Sequence, residues 1–261
     1  MIVCKSPAEL EKMRAANQLV AQVLEELAAM VAPGVTTADL DAAAEARVRA
    51  AGAEPAFKGY RGYPATLCAS VNEQVVHGIP NRTALASGDI VSLDMGVKLN
   101  GYYGDSAVTV PVGTVDENVR KLLRVTREAL DKGIAQVKVG GRISDIGHAI
   151  QAHVEANGFS VVREFVGHGI GASLHEEPQI ANYGEPGRGP RLAEGMTLAI
   201  EPMVNMGKAA VRVLADGWTA VTRDGSLSAH FEHTVAVTKA GPLVLTQRTS
   251  DRRPAAPAVA Q

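Results

Sequence analysis

Two histidines, His168 and His175, stand seven residues apart in EFVGHGIGASLHEEPQI (164–180), the first of them enclosed by Gly167 and Gly169. An imidazole can bind a metal, carry a proton or donate a hydrogen bond to a developing oxyanion. The other groups able to do chemistry are four acids, each at the end of or within an apolar strand pattern: Asp94 in IVSLD, Asp105 in GDSAVTV, Glu201 in LAIEP and Glu232 in FEHTVAV. A carboxylate in such surroundings is costly to desolvate unless it is paired or coordinates a cation. Taken singly, each acid reads as well as a strand-end residue facing water or a salt bridge, and a lone histidine reads first as a structural one. The pattern that gathers them decides otherwise.

That pattern is a duplication. VAPGVTTADLDAAAEARVRAAG (31–52) aligns with VKVGGRISDIGHAIQAHVEANG (137–158), pairing Gly34 with Gly140, Asp39 with Asp145, Leu40 with Ile146, Val48 with Val154 and Gly52 with Gly158 at one offset. LASGDIVSLD (85–94) then aligns with LAEGMTLAIE (192–201), and DSAVTV (105–110) with EHTVAV (232–237). A repeat of about a hundred residues exceeds the 20–50 of solenoid units and points to a fused pseudo-dimer, whose equivalent positions gather about a local twofold axis. Two acids per half would then meet at the centre. Four carboxylates together repel, and shared protons relieve only part of that; a dinuclear metal site removes the conflict, with His168 as its fifth ligand. An oxygen-rich set with one imidazole favours Mn²⁺, Fe²⁺ or Co²⁺, zinc not being excluded. Two such ions about 3.5–4 Å apart activate water and clamp a substrate oxygen, which is hydrolytic chemistry.

Helices must carry these strands. In SPAELEKMRAANQLVAQVLEELAAMV, Ser6 is an N-cap, Pro7 opens the helix and Glu9 completes a capping box, while Leu10, Met13, Leu19, Val23, Leu24 and Leu27 recur on one face. A second helix is predicted over Thr37 to Ala51, ended by Gly52. His148 and His153, five apart on the helix SDIGHAIQAHVEA, are expected at the surface, YGEPGRGP (183–190) as a surface loop, and the Ala- and Pro-rich tail 249–261 as disordered.

The bulk composition narrows the class. A chain of 261 residues with 46% hydrophobic and 21% charged residues can bury a large core. No stretch of 18 apolar residues or secretory signal appears, so a cytoplasmic protein is expected. Two cysteines, Cys4 and Cys68, make neither a four-thiolate zinc site nor a disulfide framework. A net charge of -2 gives no general affinity for nucleic acid.

GYRGYP, SVNEQVVHGIP, GDIVSLD, GYYGDSA, GHGIG, LHEEPQI, GMTLAIEPM and DGWTAVTRDGSLSAHFEHT, in this order, resemble the type I methionine aminopeptidases over residues 3–248. The resemblance implies an α+β pita-bread (creatinase-like) fold, a curved antiparallel sheet covered by helices, in one catalytic domain (1–248) of pseudo-symmetric halves 1–112 and 113–248. It implies two divalent metal ions (Fe²⁺, Mn²⁺, Co²⁺ or Zn²⁺), with Asp94 a terminal ligand of one, Asp105 and Glu232 bridging, and His168 and Glu201 on the other. Glu201 would shuttle a proton, His175 would hydrogen-bond the scissile carbonyl and His77 would contact the scissile amide nitrogen. Phe57, Tyr60, Tyr63, Cys68, Leu174 and Trp218 would form the methionine pocket. The partner would be the N-terminus of a nascent polypeptide with a small second residue, met near the ribosome exit by a monomeric enzyme.

Four positions depart from the pattern: Phe57 where relatives carry Cys, Leu174 where they carry Phe, Gly96 where a small hydroxyl is frequent, and His230 in place of a common Gln. His230 is read as either an outer donor to the site or a solvent-facing residue. The alternatives are an Xaa-Pro aminopeptidase or dipeptidase, whose usual preceding domain would find no room before a first helix at residue 7, and a peptide-binding module that has lost its ligands, which the full ligand set argues against.

Overall fold

The computed structural model describes residues 1–249, so the tail expected to be disordered lies almost wholly outside the described residues. Among the described residues four α-helices cover the sheets: α1 (Pro7–Met30), α2 (Thr37–Ala50), α3 (Glu117–Ile134) and α4 (Ile143–Ala156). Helix α1 begins as its sequence dictates. The Ser6 hydroxyl accepts from the Glu9 amide, and the Glu9 carboxylate accepts from the Ser6 amide at 2.8 Å. Met13, Val23, Leu24 and Leu27 are buried along its inner face, with Leu10 and Leu19 half-buried.

The duplication is visible in the matching turns that lead into α2 and α4. Helix α2 starts with a capping box, Thr36 with Asp39, and α4 keeps its return half, the Asp145 carboxylate accepting from the Arg142 amide at 2.8 Å, since an arginine side chain has no acceptor for the other half. Before them Gly34 and Gly140 take φ of 92° and 89°, a left-handed turn open to glycine, and donate to the carbonyls of Leu85 and Leu192, both at 2.8 Å. One buried cluster sits under α1 and α2 around Leu24, Leu40, Leu67 and Leu93; a second sits under α3 and α4 around Leu122, Ile146, Ile150 and Leu198.

Antiparallel sheets lie beneath the helices. In the first half, Ile90–Leu99 pairs along its length with Tyr102–Pro111, and on its other side with Leu67–Val71 and Glu54–Pro55. In the second, the order is Gly241–Val244, His233–Thr238, Thr197–Ile200, Gly167–Gly169, Glu176–Ile180. The two meet at the pseudo-twofold axis, where Ala107 bridges Glu232, the Ser106 hydroxyl donates to the Glu232 carbonyl (2.6 Å) and the Thr234 hydroxyl donates to the Asp105 carbonyl (2.8 Å). This stitching brings one acid from each half together. Beside it, Gly104 lets α1 lie directly on the strand: a Cβ there would stand 2.8 Å from the Asn17 amide nitrogen.

Two expectations change. The strand carrying Asp94 does not end there but continues to Leu99, whereas its counterpart stops at Ile200 because Pro202 after Glu201 has no N–H for the ladder. His148 is exposed, but His153 is half-buried, its Nε2 3.0 Å from Glu128 Oε2 on α3, since α3 and α4 pack closely enough to close over it. The glycines around His168 serve the packing of the sheet: Cβ atoms at Gly167 and Gly169 would fall 2.3 Å from the Ala199 carbonyl oxygen and 2.2 Å from that of Glu177.

Candidate metal centre and substrate cavity

Asp105, His168 and Glu232, all buried, offer donor atoms that lie within 4.8 Å of one another. Glu201 faces the same point, its Oε1 3.7 Å from His168 Nε2, and Asp105 Oδ2 stands 3.9 Å from that nitrogen. Asp94 borders the cavity into which these groups open.

The donor set fits a divalent cation on three observations. Asp94 Oδ1, Asp105 Oδ1 and Glu232 Oε1 are buried and accept no hydrogen bond, a state costly for a carboxylate oxygen unless a cation answers it. Burial pushes all four acids upward, Glu201 to about 8, and repulsion from neighbouring carboxylates adds to it at Asp94, raised to about 7, and at Asp105 and Glu232, both well above the usual range. Finally, His168 Nδ1 lies 2.9 Å from the Gly169 carbonyl, which can only accept, so Nδ1 carries the proton and Nε2 turns a lone pair toward the acids. Burial holds this imidazole's pKa down to about 4, keeping it neutral.

The electrostatics set a pH dependence. A folded-state pKa above the ordinary carboxylate value of ~4 stabilises the fold below that value, and the contribution is lost as pH rises through the folded pKa. Chelator-treated protein is therefore expected to melt at progressively lower temperature between pH 5 and pH 8, through the values of Asp94 and Glu201. Added Mn²⁺ should flatten the trend by favouring the ionised acids. A scanning-calorimetry series over this range checks it, and a flat or rising trend in the chelated protein would count against a packed, uncompensated cluster.

The cavity, about 210 Å³, is lined on its other sides by Phe57, Tyr60, Tyr63, Cys68, His77, Leu174, His175 and Trp218, so the structure brings the expected pocket residues and the acids together. Tyr63 is buried: its hydroxyl lies 2.9 Å from the Gly78 carbonyl and 3.1 Å from that of Leu67, and Trp218 packs edge-on against it at 5.1 Å. His77 takes φ of 60° and stacks edge-on against Phe165 at 5.4 Å; burial lowers its pKa to about 4. His175 sits on the loop beyond, its ring 4.2 Å from that of His168 and its Nδ1 2.9 Å from the Tyr60 hydroxyl.

Arg61, Val76, Phe165 and Val166 also line the cavity, and sequence reasoning missed them. They lie within or beside GYRGYP, VVHGIP and EFVGHG, and that adjacency is their signal in the sequence. Two departures prove to be one exchange of volume. A Cβ at Gly96 would stand 2.9 Å from Phe57 Cε1, so the Phe57 ring occupies the space that a side chain at 96 would need.

The model of metallopeptidase family M24 matches residues 11–239. "Methionine aminopeptidase 1" of Bacillus subtilis (strain 168) is 55% identical over 247 residues, covering 95% of this chain and all of that one. Crystal structures of methionine aminopeptidases from Thermotoga maritima and Rickettsia prowazekii each superpose with a TM-score of 0.93, at 51% and 44% identity, over 95% of this chain and 100% of theirs. Their fold is therefore the α+β pita-bread architecture found here. With the family model, the full-length relatives and the acid–histidine cluster in agreement, the chain belongs to metallopeptidase family M24, in its methionine aminopeptidase branch.

Proposed function

We propose that this protein removes the initiator methionine from new polypeptides whose second residue is small. The observation that carries the reading is an aromatic, apolar cavity opening directly onto a buried acid–histidine cluster; the high identity to proteins named methionine aminopeptidase supports it. Rings from Phe57, Tyr60, Tyr63 and Trp218 with the Cys68 sulfur suit a flexible thioether. Asp94, Asp105, His168, Glu201 and Glu232 would hold two divalent ions, Fe²⁺, Mn²⁺, Co²⁺ or Zn²⁺. Such ions supply Lewis acidity and a nucleophilic water at neutral pH.

The chain's own groups do the rest. Glu201, whose pKa burial raises to about 8, can take a proton from the attacking water and pass it to the departing amine. Where the Tyr60 hydroxyl donates to His175 Nδ1, the His175 proton resides on Nε2, free to donate to the carbonyl oxygen as it gains charge. His77, kept neutral by burial, would contact the scissile amide nitrogen. The nascent chain would be met near the ribosome exit, by a monomer in the cytoplasm; among the described residues no helix is long and apolar enough to cross a membrane.

The reading is tested by metal-dependent release of Met from Met-Ala-Ser against Met-Leu-Ser and Xaa-Pro peptides. Cleavage of the first is expected to dominate, and preference for Xaa-Pro would replace this function with that of an Xaa-Pro peptidase.

A further inference from the structure

We infer that His230 is a positioning residue for Glu201, donating its Nε2–H to Glu201 Oε2 and thereby fixing which carboxylate oxygen faces the metal. The inference rests on the reading of Glu201 as a metal ligand and proton carrier. His230 ends the strand Ser228–His230 and is 1% exposed, which removes the solvent-facing alternative. Its backbone is clamped, since the amide donates to the Thr109 hydroxyl (2.8 Å) and its carbonyl accepts from the same group (2.8 Å). The imidazole therefore has little freedom to leave the site.

Its Nε2 is buried without a hydrogen-bond partner and stands 3.6 Å from Glu201 Oε2. Glu201 is thus flanked by two imidazoles, with His168 Nε2 3.7 Å from Oε1 and His230 Nε2 3.6 Å from Oε2. The two are not equivalent. His168 spends its ring proton on the Gly169 carbonyl, so its Nε2 is a lone pair and cannot donate to a carboxylate. Only His230 can. A closure of well under 1 Å brings its N–H to the usual ~2.9 Å of a hydrogen bond, satisfying the orphaned nitrogen and leaving Oε1 toward His168, the metal-facing edge. Carboxylates that bind metals are held in this way by outer donors. A glutamine at the same position could donate through its amide, which makes it the conservative replacement.

The test compares His230→Phe, which keeps a ring but no donor, with His230→Gln, read by calorimetric Mn²⁺ affinity, by kcat and by melting of the chelated protein. His230→Phe is expected to lose about 10–100-fold in Mn²⁺ affinity and in kcat, without melting lower, because the orphaned nitrogen is gone. His230→Gln is expected to restore most of both. Should His230→Phe not fold, His230→Leu carries the same expectation. The inference is overturned if the Phe variant binds Mn²⁺ and turns over like the parent, if Gln is as impaired as Phe, or if electron spin-echo spectra of the Mn²⁺-loaded, ¹⁵N-histidine protein reveal two bound imidazoles of which His230→Phe removes one. Failure of the unaltered protein to bind Mn²⁺ at all would instead overturn the reading of the site, and the inference with it.

Discussion

Asp105→Asn is expected to lower turnover by about three orders of magnitude and to weaken divalent-metal binding severely, whereas His175→Ala should lower turnover by ~10²–10³-fold and leave metal binding intact. Asp105 belongs to the tight group with His168 and Glu232, and one of its oxygens is buried without a donor. Asparagine preserves the volume but removes a charge and turns an N–H toward groups that can only share a cation. His175 is different in kind. It is exposed, engages Tyr60 rather than an acid, and reaches the cluster only through ring contact with His168. Calorimetry with Mn²⁺ alongside steady-state kinetics separates the two. Equal loss of metal from both variants would mean that His175 binds metal rather than substrate. The chelated Asp105→Asn protein should also melt higher than its parent, because one of four mutually repelling acids has gone.

How much of this is legible in the sequence depends on which physics is involved. Local rules gave the capping box of Ser6 and Glu9, the start of α2 and the paired turns at Gly34 and Gly140, because these depend on a few adjacent residues. The gathering of Asp105 and Glu232 could be read from the duplication, since equivalent positions of a fused pair meet at their axis. The roles of His77, His175 and the pocket rings came from resemblance alone, and the structure adds their geometry. What escaped depends on contacts between distant segments. Nothing near Gly96 announces that Phe57 fills its space, nothing in GHG announces the carbonyls of Ala199 and Glu177, and the burial of His153 is set by Glu128 on another helix. Phe165 reaches the cavity from a segment with no periodic pattern.

The largest effect outside the cluster is expected from Lys5→Met. Lys5 has a side chain only 3% exposed, and its ammonium pairs with Glu176, 14% exposed, and with the Val3 carbonyl at 3.1 Å. Its backbone is tied down too, the amide donating to the Gly195 carbonyl at 2.7 Å. Glu176 in turn accepts from the Ser173 amide at 3.1 Å, so the N-terminal segment grips the loop that presents Leu174 and His175 to the cavity. Removing one partner of a buried pair strands the other charge and costs about 3–5 kcal/mol, at roughly 2–4 °C of melting temperature per kcal/mol for a chain near this size. The double variant Lys5→Met, Glu176→Met should recover much of that stability, because an apolar pair can replace a buried ionic one. It should not recover kcat, because the Ser173 amide has lost its acceptor and His175 its fixed approach, while Mn²⁺ affinity should stay near that of the parent. A Lys5→Met protein that melts within 2 °C of its parent would mean that water reaches the pair and that the loop is held from elsewhere. Full kcat in the double variant would mean that the ion pair serves folding alone, since stability and positioning are then carried by different atoms of the same contact.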